Sequence, residues 1–343
     1  FNPEATTQEI YMPATLSKYV LTDLLRGKMK FNGLVVTDAS HMVAMTSVMK
    51  RSEMLPTAIA AGSDLFLFFN DPDEDFEWMM EGYKNGIITD ERLEEALTRI
   101  LGTKAALGLY KKAKTEILPE KEVAMAKIGL EENKAIAKEV SDKAITLVKN
   151  TQDVLPIAPE KTKRVLLVEA KGFDGGFGKF IEIMGGAKKK PIEIVKELLE
   201  AKGFDVEIWE SPIDKIMKLP KEEMAQALGN VYAGKRPIAE LTSKYDLIIN
   251  IANVNASVDQ RLQWPPSKGT PDIPFYVNEI PTIFVSVKCP FHLADVPQVK
   301  TYINTYDDNQ QTLEALVEKL VGNSEFKGIS PVDAFCGFGD TRF

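Results

Sequence analysis

The sequence predicts an α/β protein built in two parts. Short apolar, β-branched-rich runs without polar alternation, such as Gly33-Leu34-Val35-Val36 and Tyr245–Ala252, read as strands covered on both faces, as in a parallel sheet. Segments with apolar residues at helical spacing lie between such runs, so strand and helix alternate along the chain. With 343 residues, there is length enough for two domains.

Residues 1–12 read as a loop or short strand ending in Ile10-Tyr11-Met12. Residues 14–28 read as a helix with Leu16, Val20, Leu21, Leu24 and Leu25 on one face. A buried strand over 33–38 runs out at Thr37-Asp38, a helix over 52–61 follows, and Asp64–Phe69 is a second buried strand. Asn70-Asp71-Pro72-Asp73 is turn chemistry that opens a helix, with acids near its N-terminus. Glu74–Lys84 and Asp90–Leu107 are helical, Thr89 capping the second and Gly108 ending it. Glu120–Asn150 reads as one long amphipathic helix; Val123, Ala126, Ile128 and Leu130 start its apolar face, and Ala137, Val140, Ala144 and Leu147 extend it. Pro156 and Pro159 then punctuate the chain. Strands over Arg164–Ala170, Val206–Glu210, Tyr245–Ala252 and Pro281–Lys288, with helices over Ile192–Ala201, Lys221–Gly234 and Gln310–Val321, make a mainly parallel sheet with helices on both faces. Asp259–Thr270 reads as a long loop.

Composition narrows the function. Hydrophobic residues make up 44% and charged residues 27%, ordinary for a globular protein. The net charge of −8, without a long basic run, argues against nucleic acid. The tight basic cluster Lys188-Lys189-Lys190 reads as a solvated helix start. No apolar run approaches the roughly 20 residues of a membrane helix. Cys289 and Cys336 either pair or are two buried thiols. His41 and His292 are isolated and no Cys-x-x-Cys occurs, so no metal site is expected. No signal peptide is visible.

Asp38 is the first candidate for chemistry, because ligands of parallel α/β folds bind at the carboxyl ends of strands. A carboxylate there can act as a nucleophile. Spacing alone favours a helix N-cap, with Asp38-Ala39-Ser40 opening a helix. Asp64 reads as a hydrogen-bonding group and Asp71 as a cap. Asp174–Lys179 is glycine-rich but lacks full phosphate-loop spacing, so it reads as a surface loop. Asn253, Asn255 and Arg261 follow a strand and read as turn residues, and Phe335-Cys336-Gly337 as a docking tail.

Several segments, in order, carry a resemblance. Pro13-Ala14-Thr15-Leu16-Ser17, Leu21–Arg26, Phe31-Asn32-Gly33 and Val36-Thr37-Asp38 are followed by Ala61–Leu65, Asn85–Ile88 and Arg99–Tyr110. Ala144–Asn150, Leu155-Pro156 and Lys327–Asp333 continue the series. The chain closely resembles glycoside hydrolase family 3, in particular its β-N-acetylhexosaminidase branch. The resemblance implies the C-terminal part of a (β/α)8 barrel over 1–110, a helical linker over 111–160, and an α/β sandwich with a mainly parallel sheet, in three layers, over 161–343. Such a barrel needs roughly 250 residues. The stretch before the linker is therefore expected to be a fragment, with the upstream half of the barrel elsewhere, as a separate chain in one reading. The chain opens on Phe1, inside the family pattern.

The implied activity is retaining removal of terminal β-linked N-acetylglucosamine, with Asp38 as nucleophile and no cofactor. Met42 stands where the family has a Met lining the sugar site, against a core-packing alternative. His41 reads as a residue of the pocket rim or of a helix start. The resemblance implies an acid/base His on an earlier barrel loop, in a Lys-His-Phe-Pro-Gly-His type of motif that this sequence lacks. The expected partner is a β-N-acetylglucosaminide, with action in the cytoplasm or at the cell envelope. A phosphorylase using the same intermediate, and a non-catalytic fragment that binds a partner, are the alternatives.

Overall fold

The computed structural model describes residues 3–172, 189–233, 237–254, 261–264 and 269–343. Asp174–Lys179, Lys188, Asn255 and Pro265-Pro266 lie outside the described residues. The chain divides into two compact units, Phe1–Ala126 and Lys127–Phe343.

In the first unit, strands β1 (Val36–Ala39) and β2 (Leu65–Leu67) pair in parallel, Val36 opposite Leu65 and Ala39 opposite Leu67. The helix Arg51–Ala61 connects them, and the helices Pro72–Lys84 and Asp90–Ala106 follow. The local chemistry of the last two helix starts is visible. Asp71 accepts from the Asp73 and Glu74 N–H groups, and Thr89 from the Arg92 N–H. A small core gathers Leu16, Met45, Met54, Leu55 and Ala58, with Trp78 packed against it. The expected helix over 14–28 is a 3-10 turn, Ala14–Leu16, followed by a wider-wound π-helix, Tyr19–Lys28. Gly62 must be glycine on two counts. Its φ is +135°, and a Cβ there would meet Leu21 Cβ and Thr22 Oγ1 at 3.0 Å.

Two expectations are corrected here. Strand pairing begins at Val36 rather than residue 33, and the strands are not covered on both faces: Val36 is 46% and Leu67 43% exposed. Among the described residues β1 and β2 pair only with each other, so neither outer edge has a neighbour to cover it.

The second unit is built on a six-stranded mixed sheet of β3 (Thr146–Asn150), β4 (Arg164–Ala170), β5 (Asp205–Ile208), β6 (Leu247–Ala252), β7 (Thr282–Ser286) and β8 (Thr301–Asn304), in the order β3-β8-β7-β6-β4-β5. All neighbours are parallel except β3 against β8. The side chains alternate with the strand period. Val165, Leu167, Leu247, Ile249, Ile283 and Ile303 point into one core, where the helices Pro191–Ala201 and Gln310–Leu320 pack. Leu166, Val168, Ile248, Phe284 and Tyr302 point into cores on the opposite face. A sheet covered on both sides explains why these strands read as unbroken apolar runs.

The long helix expected over Glu120–Asn150 is three elements: helices Lys121–Met125 and Glu131–Ala144, then β3. Ile145 takes an extended backbone (φ −56°, ψ 123°), and the β-branched run after it pairs with β8. Leu147 falls at helical spacing from Ala144 and Val140 only by coincidence. The two cysteines are not joined in a disulfide; Cys289 is buried and Cys336 exposed. Phe335 packs against the core around Leu293, with the Arg342 guanidinium 4.1 Å from the centre of its ring. No helix among the described residues is long and apolar enough to cross a membrane.

Candidate active site

Parallel pairing brings the carboxyl ends of β1 and β2 to the same end of their sheet. Thr37 is buried and its hydroxyl accepts the Leu67 N–H at 3.0 Å, tying the two strands together. The next residue, Asp38, alternates outward and is exposed. Its Oδ1 accepts the adjacent Ala39 N–H at 2.7 Å. Asp38 does not cap a helix: it lies inside β1, and the following helix, Val43–Thr46, starts from Met42. His41 is exposed and Met42 is 43% exposed, which corrects core packing as an account of Met42. The three predicted residues thus share one strand end and the turn after it.

Behind that turn sits a polar network the sequence reading missed. Ser40 is fully buried. Its N–H donates to the Phe68 carbonyl at 3.2 Å. Arg51 Nη1 donates to the Ser40 carbonyl and hydroxyl, each at 3.1 Å. Arg51 Nη2 pairs with Asp75 Oδ1, and Asp75 Oδ2 accepts the Asn70 N–H at 2.9 Å. The Arg51 guanidinium also lies 5.6 Å from the centre of the Trp78 ring. These residues come from β1's exit, two helices and β2's exit, so no local motif announces them.

A second network anchors the other end of β2. The Asp64 side chain is fully buried and meets Arg26 at 2.7 Å, Arg99 at 3.2 Å, and Arg92. It also accepts the Val35 N–H at 3.1 Å. Burial alone would raise the Asp64 carboxyl; the Val35 N–H, Arg92 and Arg26 outweigh it and hold the group below its usual range. Asp64 is thus an anchor for the strand rather than a reacting group. A surface groove of about 580 Å³ is lined by Asn32, Glu91, Glu95 and Arg99 among others, and includes none of Asp38, His41 or Met42.

In the second unit, Ser286 at the carboxyl end of β7 bonds His292 Nδ1 at 2.7 Å, both side chains buried. Arg261 pairs with Asp295, and Asn253 Oδ1 has no partner among the described residues. Lys189 pairs with Glu197 and Lys190 with Glu169 at the start of the helix Pro191–Ala201. Among the described residues no cluster of His, Cys, Asp and Glu is arranged to hold a metal.

Residues 3–103, which include the whole of this strand-end site, match the model for the glycosyl hydrolase family 3 N-terminal domain. A Cellulomonas fimi relative named beta-N-acetylglucosaminidase/beta-glucosidase is 38% identical over 335 residues, 96% of this chain and 54% of that protein. The chain belongs to glycosyl hydrolase family 3. Among solved structures, one named beta-glucoside phosphorylase BglX is 39% identical with a TM-score of 0.78, covering 99% of this chain and 56% of that one. A family 3 beta-N-acetylglucosaminidase from Paenibacillus sp. str. FPU-7 is alike in fold alone. It is 22% identical with a TM-score of 0.62, over 92% of this chain and 54% of that one. The chain spans about half the length of these three proteins.

Proposed function

We propose that the protein acts on terminal β-glycosides through a glycosyl-enzyme intermediate on Asp38, with N-acetylglucosamine as the sugar transferred. The observation that carries this reading is Asp38 itself: an exposed carboxylate at the carboxyl end of a parallel strand, inside the segment that matches the family model. The carboxylate attacks the anomeric carbon as the bond to the leaving oxygen breaks. An acid protonates that oxygen and then, as base, activates the water that releases Asp38. Met42 and His41, on the turn beside Asp38, border the sugar.

The acid/base comes from the part of the protein that relatives carry outside the matched half. In this reading the first unit is the last β/α portion of a (β/α)8 barrel, over 1–110. The second is a three-layer α/β sandwich over 161–343, joined to it through 111–160.

The test is cleavage of an aryl β-N-acetylglucosaminide and an aryl β-glucoside by the protein with the upstream half that relatives carry, wild type beside Asp38→Asn. Loss of activity in the variant, with the N-acetylglucosaminide the faster substrate in the wild type, supports the reading. Equal turnover by Asp38→Asn refutes it.

A second reading, phosphorolysis, is favoured by the likeness to the solved structure named as a phosphorylase. Here phosphate rather than water attacks the intermediate, and the product is a sugar 1-phosphate. Product analysis with and without inorganic phosphate separates the two.

A further inference from the structure

We propose that Arg51, Asp75 and Ser40 form a clamp that positions Asp38, acting on the backbone of the Asp38 strand end rather than touching substrate. The proposal rests on the reading of Asp38 as the reacting carboxylate. The only hydrogen bond described for the Asp38 side chain is from its own neighbour's N–H, so its aim is set by the main chain. Two residues later that main chain is held from three sides. The Ser40 N–H donates to the Phe68 carbonyl, the Ser40 carbonyl accepts from Arg51 at 3.1 Å, and the buried hydroxyl sits 3.1 Å from Arg51 and 3.5 Å from Asp75 Oδ2.

Arg51 and Asp75 divide the task. The guanidinium holds β1's exit through Ser40, and the carboxylate holds β2's exit through the Asn70 N–H. Their ion pair joins the two, with Trp78 beside the guanidinium. Phe68, between these anchors, has φ +54°, a left-handed backbone that a bulky residue adopts only where its surroundings impose it. Both Ser40 groups that reach Phe68 bond its carbonyl. A planar fork with several donors is required: a lysine has the charge but cannot hold Ser40 and Asp75 in one plane.

The experiment compares the protein with the upstream half that relatives carry, wild type beside Arg51→Lys and Ser40→Ala, by two readouts. The first is covalent labelling by 2-deoxy-2-fluoroglucosyl fluoride and by 5-fluoro-N-acetylglucosaminyl fluoride, followed by intact mass and peptide mapping. The second is amide hydrogen exchange at Ser40, Met42 and Asn70, with Ala58 and Ile249 as controls for the two folded units. The clamp predicts that Arg51→Lys lowers the maximal labelling rate of Asp38 by about 10²-fold with half-saturation little changed. It also predicts that exchange at Ser40 and Met42 rises about tenfold while both controls hold. Ser40→Ala keeps the carbonyl contact and shows a smaller change in the same direction.

Labelling at wild-type rate in Arg51→Lys overturns the clamp. So does unchanged exchange at Ser40 and Met42, whether or not the chain labels. Labelling of the wild type at a residue other than Asp38, or no labelling at all, overturns the reading of Asp38. The exchange result then still decides whether the clamp exists.

Discussion

Asp64 offers the sharpest test of how the first unit is held together. Three guanidiniums converge on one buried carboxylate. Their side chains are only 9%, 10% and 14% exposed for Arg26, Arg92 and Arg99. Asp64→Asn keeps the shape and an acceptor for the Val35 N–H but removes the charge. Glu95 still neutralises Arg92 and Arg99. Arg26 is then left with the Gly33 and Gly62 carbonyls. Removing one partner of a buried ion pair costs about 3–5 kcal/mol, and the retained acceptor and Glu95 place this substitution near the lower end, about 3 kcal/mol.

The assay is urea denaturation followed by Trp78 fluorescence in a Trp209→Phe, Trp264→Phe background, so that the first unit reports alone. The pH dependence supplies a second arm. The folded carboxyl is held low, so its contribution is fully present above the unfolded carboxylate value, about 3.9. It is lost as pH falls through the lowered folded value. Wild type should therefore lose stability on acidification below about pH 4 more steeply than Asp64→Asn. A cost under about 1 kcal/mol, together with identical acid slopes, would refute the anchoring argument.

Three further outcomes follow from the same structure. The Lys319 ammonium is fully buried against Asp142, Ser324 and the Glu325 carbonyl, whereas Asp142 is 41% exposed. Asp142→Ala should therefore destabilise the second unit by about 3 kcal/mol, and Lys319→Met by less, because a stranded Asp142 can turn to water. Chemical denaturation of both variants checks the order. Gly82→Val should cost about 1–3 kcal/mol, since any Cβ at Gly82 meets the Pro56 ring on the facing helix; a thermal melt at unchanged Tm refutes the close approach. Thr89→Ala removes the cap on the Arg92 N–H and should cost about 1 kcal/mol, restored in Thr89→Ser.

The elements whose physics is local were legible in the sequence. Asp71 and Thr89 cap because a short oxygen-bearing side chain stands just before a helical pattern. β4, β6 and β7 were readable because a sheet covered on both faces needs continuous apolar runs. The ordered motifs around Asp38 identified the family. β3 and β8 were not readable. Thr301–Asn304 has only four residues with polar ends, and becomes a strand because β7 and β3 lie on either side of it. Thr146–Asn150 continues a helical spacing that β8 overrides. The clamp of Ser40, Arg51 and Asp75 and the Asp64 cluster were invisible for a related reason. The bonds that join Ser40, Arg51 and Asp75, and those from Asp64 to its three arginines, span 11 to 38 positions, and a hydrogen bond between distant residues leaves no periodic trace. Sequence by itself thus determined the Asp71 and Thr89 helix starts, the buried parallel strands of the six-stranded sheet and the family, and it put Asp38 forward as the candidate. Only tertiary structure decided which strand edges are paired, which charges are buried together, and what holds the Asp38 turn, because those depend on packing between segments far apart in the chain.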